Sequence, residues 1–167
     1  MNKRTSAIIV FLLLCVACVA HALYYYPRLP AQIAHHFDTS GQPDVWGSKI
    51  QFLIIYLATI AVIAATFLGF GLALSKIPNS LISLPNKEYW LTPERRQQTL
   101  GYLLPRFFWL GSLALLLILD IFHQTVLVHL GKATKLSHFG LSISIYLVIT
   151  FAWCITIYKK FSKKQSQ

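Results

Sequence analysis

Four long apolar runs alternate with polar stretches along the chain: 7–26, 50–74, 107–128 and 138–158. Each run is too long for a strand, and at 1.5 Å per residue a 20-residue helix reaches the ~30 Å hydrocarbon core of a bilayer. Lipid offers no partner for backbone N–H and C=O groups, so the bonds must close within each segment. The pattern therefore predicts an all-α membrane protein with four transmembrane helices in one membrane domain, residues 1–167. The connections are a loop over 27–49, a loop over 75–106 and a short turn before His138.

Charge gives the direction. With the N-terminus inside, Lys3, Arg4, Lys76, Lys87, Arg95, Arg96, Arg106, Lys159, Lys160, Lys163 and Lys164 are cytoplasmic. Arg28, Lys49, Lys132 and Lys135 lie outside. Eleven against four favours both termini in the cytoplasm and 27–49 as an ordered extracytoplasmic loop. Only 12% of residues are charged, against roughly 25% in soluble domains. The cations flank apolar runs instead of forming a stripe, which argues against nucleic acid despite the net charge of +10. Lys3 and Arg4 with Ala20-His21-Ala22 resemble a signal peptide and its cleavage site. The apolar run continues through Tyr26, so a retained span is expected, with tyrosines at the interface.

Within the second run Ala61, Ala65, Gly69 and Ala73 recur every fourth residue, making a narrow face that another helix can approach closely. Packing inside the bundle is expected, with homo-oligomerisation as the alternative. Cys15, Cys18 and Cys154 lie in apolar runs and read as small fillers.

Asp120 is the sharpest single residue, because a carboxylate within a span costs roughly 2.5–3.5 kcal/mol on insertion scales and should face protein or water. His123 and Gln124 follow at helical spacing. Counting depth along each span places His21, Tyr56, Thr59, Asp120, His123 and Tyr146 at about one level, a candidate polar layer beneath the outer loop. Ser142, Tyr146 and Thr150 share one face.

In the 75–106 connection, Thr92-Pro93-Glu94 has helix-start chemistry. A short interfacial helix over 93–104 is expected, ended by Pro105 and seated by Tyr89, Trp90 and Leu91. Arg95 and Arg96 can meet anionic head groups or only set topology. In the outer loop, Leu29, Ile33 and Phe37 recur every four residues and predict a short amphipathic helix. Asp38-Thr39-Ser40-Gly41 has turn chemistry, and Pro43-Asp44 starts another turn.

Two motifs carry a family resemblance. Pro27-x-Leu29-Pro30-x-x-Ile33, then His36-Phe37-Asp38, Gly41, Asp44 and Gly47-Ser48-Lys49 resemble the signature of the domain of unknown function 1648. Leu84-Pro85-Asn86-Lys87-Glu88-Tyr89-Trp90-Leu91 with Pro93-Glu94-Arg95-Arg96 is similar to a second motif of stand-alone members. Ala34 stands where that family usually has proline. The resemblance implies a multi-pass protein of the bacterial inner membrane, in a group that includes bacteriocin-immunity and signalling proteins. It implies no settled activity.

The candidate binding surface of the outer loop is His36, Asp38, Gly41, Asp44, Trp46, Ser48 and Lys49, engaging a peptide or envelope component. The cytoplasmic motif is Asn86, Lys87, Glu88, Tyr89, Trp90, Glu94, Arg95 and Arg96, open to a cytoplasmic regulator or membrane partner. The alternatives are a small proton-coupled carrier or channel subunit using Asp120 and His123, and a structural subunit of a larger membrane assembly. No HExxH or EF-hand spacing occurs, and Cys15-Val16-Ala17-Cys18 lies within an apolar run. No metal, cofactor or enzymatic activity is expected.

Overall fold

A computed structural model describes residues 2–163; Lys164, counted above for topology, lies outside them. The chain forms helix α1 (Lys3–Tyr25), strands β1 (Gln32–Phe37) and β2 (Pro43–Ser48), helix α2 (Lys49–Ala73), a short helix α3 (Lys87–Trp90), and helices α4 (Pro93–His129) and α5 (Phe139–Ser162). Among the described residues, α1, α2, α4 and α5 are long and apolar enough to cross a membrane.

The four long helices leave one end of the bundle for the hairpin and the 130–138 turn. The other end holds the start of α1, the 74–92 connection and the close of α5. The core runs along α1, α2 and α4, with Phe11, Cys18, Tyr56, Ile60, Phe108 and Leu115 buried. Helix α5 packs on α4 and buries only Phe161. Most of its other apolar side chains are exposed, as suits a lipid-facing helix.

Two expectations about helices are corrected. Helix α4 is one element of 37 residues that runs through Pro105, so 93–104 is not a separate interfacial helix ahead of a span at 107–128. Proline removes one backbone bond, to Gly101 O, but packing can hold the rest of such a helix together. Pro105 is itself buried among neighbouring helices. At 1.5 Å per residue α4 is ~55 Å long, well beyond the ~30 Å hydrocarbon core.

The small-residue face of α2 is the second correction. Ala61, Ala65, Gly69 and Ala73 are exposed, and nothing lies within 4 Å of a Cβ built on Gly69. Close approach is made by other glycines. A Cβ on Gly71 would fall 2.8 Å from the Phe108 ring, and one on Gly111 would fall 2.8 Å from both Phe11 and Phe67. The interior of this bundle is set by phenylalanines pressed against glycines, while the alanine stripe faces away.

The 27–49 loop is a β-hairpin, not an amphipathic helix. Strands β1 and β2 pair antiparallel, Gln32 opposite Ser48 and Ile33 opposite Gly47, with irregular register around His36. The fourfold spacing of Leu29, Ile33 and Phe37 is coincidental. Leu29 lies in the exit from α1, before the strand begins, while Ile33 and Ala34 are both fully buried. A bulge at His35 lets two successive side chains point inward, which strict alternation forbids. The pairing also gives the backbone of 43–48 partners that a lone helix over 29–37 could not supply. Pro43 opens β2 and does not start a second turn.

Candidate functional site

The hairpin turn is built by Asp38. Its carboxylate accepts from Ser40 N at 2.8 Å, Ser40 Oγ at 2.7 Å and Gln42 N at 2.9 Å. These bonds hold the carboxyl below its ordinary range, the Ser40 hydroxyl first and the Gln42 amide next. Gly41 follows at φ +83°, a conformation that side chains disfavour. Its carbonyl accepts from Leu136 N at 2.9 Å, and a Cβ there would fall 2.6 Å from Leu136 O. The tip thus docks on the turn between α4 and α5.

The base of the hairpin is tied equally firmly. Ser48 and Gln51 form a reciprocal capping box that starts α2, and Lys49 N donates to Ala31 O at 3.0 Å. His129, at the last turn of α4, accepts from Ala34 N at 3.0 Å through Nε2. The Trp46 ring stands edge-on to His129, centroids 5.6 Å apart. His35 is 3.1 Å from Ser48 O through Nε2. Its ring also explains Gly47, since a Cβ there would fall 2.7 Å from His35 Nδ1 and 2.9 Å from Gln51 Oε1. The Lys49 ammonium lies 5.1 Å over the Tyr26 ring.

What faces away is a short patch. His36 Nδ1 and Asp44 Oδ1 are 2.7 Å apart, with side chains 65% and 42% exposed. Val45 and Trp46 beside them are 54% and 55% exposed. Of the predicted outer residues, Asp38, Gly41 and Ser48 therefore build the hairpin. His36, Asp44 and Trp46 present a surface, and Lys49 sits at the junction.

The predicted polar layer separates into two clusters. On the α1–α2 side of α4, His21 Nε2 lies 3.1 Å from His123 Nδ1, and Tyr56 Oη lies 3.3 Å from His21 Nδ1. Tyr56 is buried and stacked on Phe122 at 3.9 Å. On the α5 side, Asp120 Oδ2 accepts from Gln124 Nε2 and from Ser142 Oγ, both at 2.7 Å, and Gln124 Oε1 accepts from His138 N at 3.0 Å. Asp120 and His123 share a helix but turn to different neighbours, so the expected acid–histidine pair does not form. Thr59 donates to Ile55 O of its own helix, and Tyr146 joins neither cluster. Equal depth puts groups at one level, but the rotation of each helix decides which of them meet.

The motif over 84–96 is a clasp. Asn86, at φ 50°, donates through Nδ2 to Phe161 O at 3.1 Å and Ser162 O at 3.0 Å, and Trp90 Nε1 donates to Phe161 O at 2.9 Å. These bonds satisfy carbonyls at the end of α5 that have no helical partner. Arg96 holds the segment that follows α2, giving Nη1 to Ser75 O at 3.0 Å and Nη2 to Ile77 O at 2.6 Å while Nε reaches Asn79 Oδ1 at 3.0 Å. Arg95 stacks on Tyr89 at 4.1 Å. Lys87 and Glu88 open α3, and Glu94 is exposed in the first turn of α4.

Sequence reasoning underweighted His35, His129, Ser142 and His138. Each depends on a pairing between segments far apart in the chain. The only local signal was the placement of His129 and His138 at span ends. Among the described residues, no three of His, Cys, Asp and Glu gather closely enough to hold a metal ion.

Residues 13–60 match the family model described as Domain of unknown function (DUF1648), the family that the outer motif resembles. The match covers the second half of α1, the whole hairpin and the first half of α2. No curated protein and no solved structure matches the chain.

Proposed function

We propose that this is a non-enzymatic, multi-pass protein of the bacterial inner membrane, with both termini in the cytoplasm, that recognises a peptide or envelope component through its outer hairpin. Ten of the described Lys and Arg residues lie at the end of the bundle opposite the hairpin and four lie at the hairpin end, which supports this orientation. The observation that carries the reading is the patch of His36, Asp44, Val45 and Trp46. The hairpin is pinned at its tip, its base and its β1 edge, yet this face holds exposed apolar and aromatic area beside a polar pair. Rigid aromatic anchors beside polar groups are what recognition surfaces use. A role in the immunity or sensing class follows from the family resemblance together with this surface. In that role the clasp at Asn86 and Trp90 couples the far end of α5 to whatever reads the cytoplasmic connection.

Deletion is expected to sensitise cells to one membrane-active peptide of a panel. Wild type should restore resistance, whereas Trp46→Ala should accumulate normally and fail to restore it. Unchanged sensitivity across the panel would remove the immunity reading.

The carrier reading has less support, because Asp120 is bonded to Gln124 and Ser142 on one side and His123 to His21 on the other. Its test is pH-dependent flux in proteoliposomes that Asp120→Asn abolishes. A role as a subunit of a larger assembly, or of a homo-oligomer, draws on the exposed Ala61, Ala65, Gly69 and Ala73 face of α2.

A further inference from the structure

The end of the bundle remote from the hairpin holds a cavity of about 840 Å³ between the start of α1, the close of α2 and the first turns of α4. Lys3, Arg4, Arg96 and Arg106 line it, and no acidic residue does. The one ion pair among the described residues is His36 with Asp44, at the other end of the molecule, so none of these four charges is neutralised by a carboxylate. Two of them are fixed in place. Arg96 spends its donors on neutral acceptors, and Arg106 gives Nη1 to Tyr102 O at 2.8 Å with its guanidinium 3.3 Å over the Tyr102 ring. Lys3 and Arg4 are exposed, and their side chains have no hydrogen-bond partner among the described residues, so both can converge on an anion. Helix α1 begins at the same place with no acid in its first turn, which leaves the positive end of its dipole uncompensated.

A second cavity of about 280 Å³ adjoins the first, and Leu74 and Arg106 line both. Its walls are mostly apolar, with Ile82, Leu84, Leu110, Trp153 and Ile157 drawn from the 77–84 segment, α4 and α5. A basic chamber beside an apolar cleft, with Leu74 and Arg106 common to both walls, matches one kind of molecule: an anionic head joined to a hydrocarbon chain.

We propose that the two cavities together bind one anionic phospholipid, its phosphate among Lys3, Arg4, Arg96 and Arg106 and an acyl chain in the cleft between α4 and α5. A zwitterionic lipid would bring an ammonium group among four unpaired cations and be disfavoured by like-charge repulsion. Placing the two arginines costs no reorganisation on binding, because the fold already holds them. The lipid would also join α2 and α4 to α5, whose contact with the rest of the bundle is mainly with α4 and the Asn86–Trp90 clasp.

The full chain in mild detergent tests this by native mass spectrometry and thermal unfolding with added phosphatidylglycerol, phosphatidylcholine or inorganic phosphate. Phosphatidylglycerol is expected to stay bound through delipidation and raise the unfolding temperature, and the other two to do neither. Lys3→Gln with Arg4→Gln leaves the backbone contacts of Arg96 and Arg106 in place and should weaken phosphatidylglycerol retention roughly tenfold. Lys132→Gln with Lys135→Gln, at the hairpin end, should not. Equal retention of phosphatidylcholine, or equal loss in both double variants, would overturn the site. Stabilisation by inorganic phosphate alone would assign the chamber to a free anion and overturn the lipid.

Discussion

His21 on α1 and His123 on α4 meet ring to ring, Nε2 to Nδ1 at 3.1 Å, at the level where Tyr56 reaches in from α2. One arrangement makes both bonds with all three groups neutral: Tyr56 O–H donates to His21 Nδ1, and His21 Nε2–H donates to His123 Nδ1. Three helices are thereby joined through two hydrogen bonds in a region where water cannot substitute for them.

A double-mutant cycle with His21→Ala and His123→Ala checks the pair. Interhelical hydrogen bonds in membrane proteins couple by about 0.6 kcal/mol on average and up to about 1.7. Unfolding in detergent should give a coupling within that range, and additive losses would show that the rings do not interact. Tyr56→Phe keeps the stack on Phe122 and should lose only about 0.5–1.5 kcal/mol.

Two glycine substitutions should act with opposite sign. Gly111→Ala places a methyl 2.8 Å from Phe11 and Phe67 and should destabilise by about 1–3 kcal/mol, as overpacking does. Gly69→Ala meets nothing within 4 Å and should be neutral or stabilising by up to about 1 kcal/mol from helix propensity. Gly69→Leu extends the test. If α2 self-associates through its small face, this variant should be monomeric in cross-linking assays yet unfold like wild type.

Asn86 bears on the end of α5. Asn86→Ala should speed amide exchange over the last turn of α5, because it leaves Ser162 O without the Asn86 donor and Phe161 O with Trp90 Nε1 alone. Asn86→Gly relieves the positive φ but also lacks the donors. If glycine restored slow exchange, backbone strain and not the clasp would be the cause.

Asp38 gives the hairpin turn a pH dependence of known sign. Its carboxyl is held below the ordinary value of 3.8, first by the Ser40 hydroxyl. A carboxyl depressed in the folded state stabilises fully above its unfolded value, and the contribution is lost as pH falls through the folded one. Amide exchange at Ser40 and Gln42, corrected for intrinsic rates, should therefore show loss of protection below pH 3.8. Asp38→Ala should be unprotected at every pH, and an unaltered pH profile in that variant would remove the carboxylate from the turn.

Four long helices, the ends of α1, α2 and α5 to within a few residues, and the excess of cations at one end were legible in the chain, because lipid forces backbone bonds to close locally and apolar length measures a span directly. The turn at Asp38–Gly41 and the helix start at Pro93 were legible for the same reason: their chemistry lies within a few residues. Residues further apart were decided only in three dimensions. Whether 29–37 became helix or strand depended on 43–48 arriving beside it. Whether Pro105 ended a helix depended on the packing that buries it. Depth counting set His21, Tyr56, Asp120 and His123 at one level, but the rotation of each helix sent Asp120 to Ser142 and His123 to His21. The alanine face of α2 looked like the packing surface, and the tertiary structure gave that place to Gly71 and Gly111, since interior fit is settled by which phenylalanines arrive opposite.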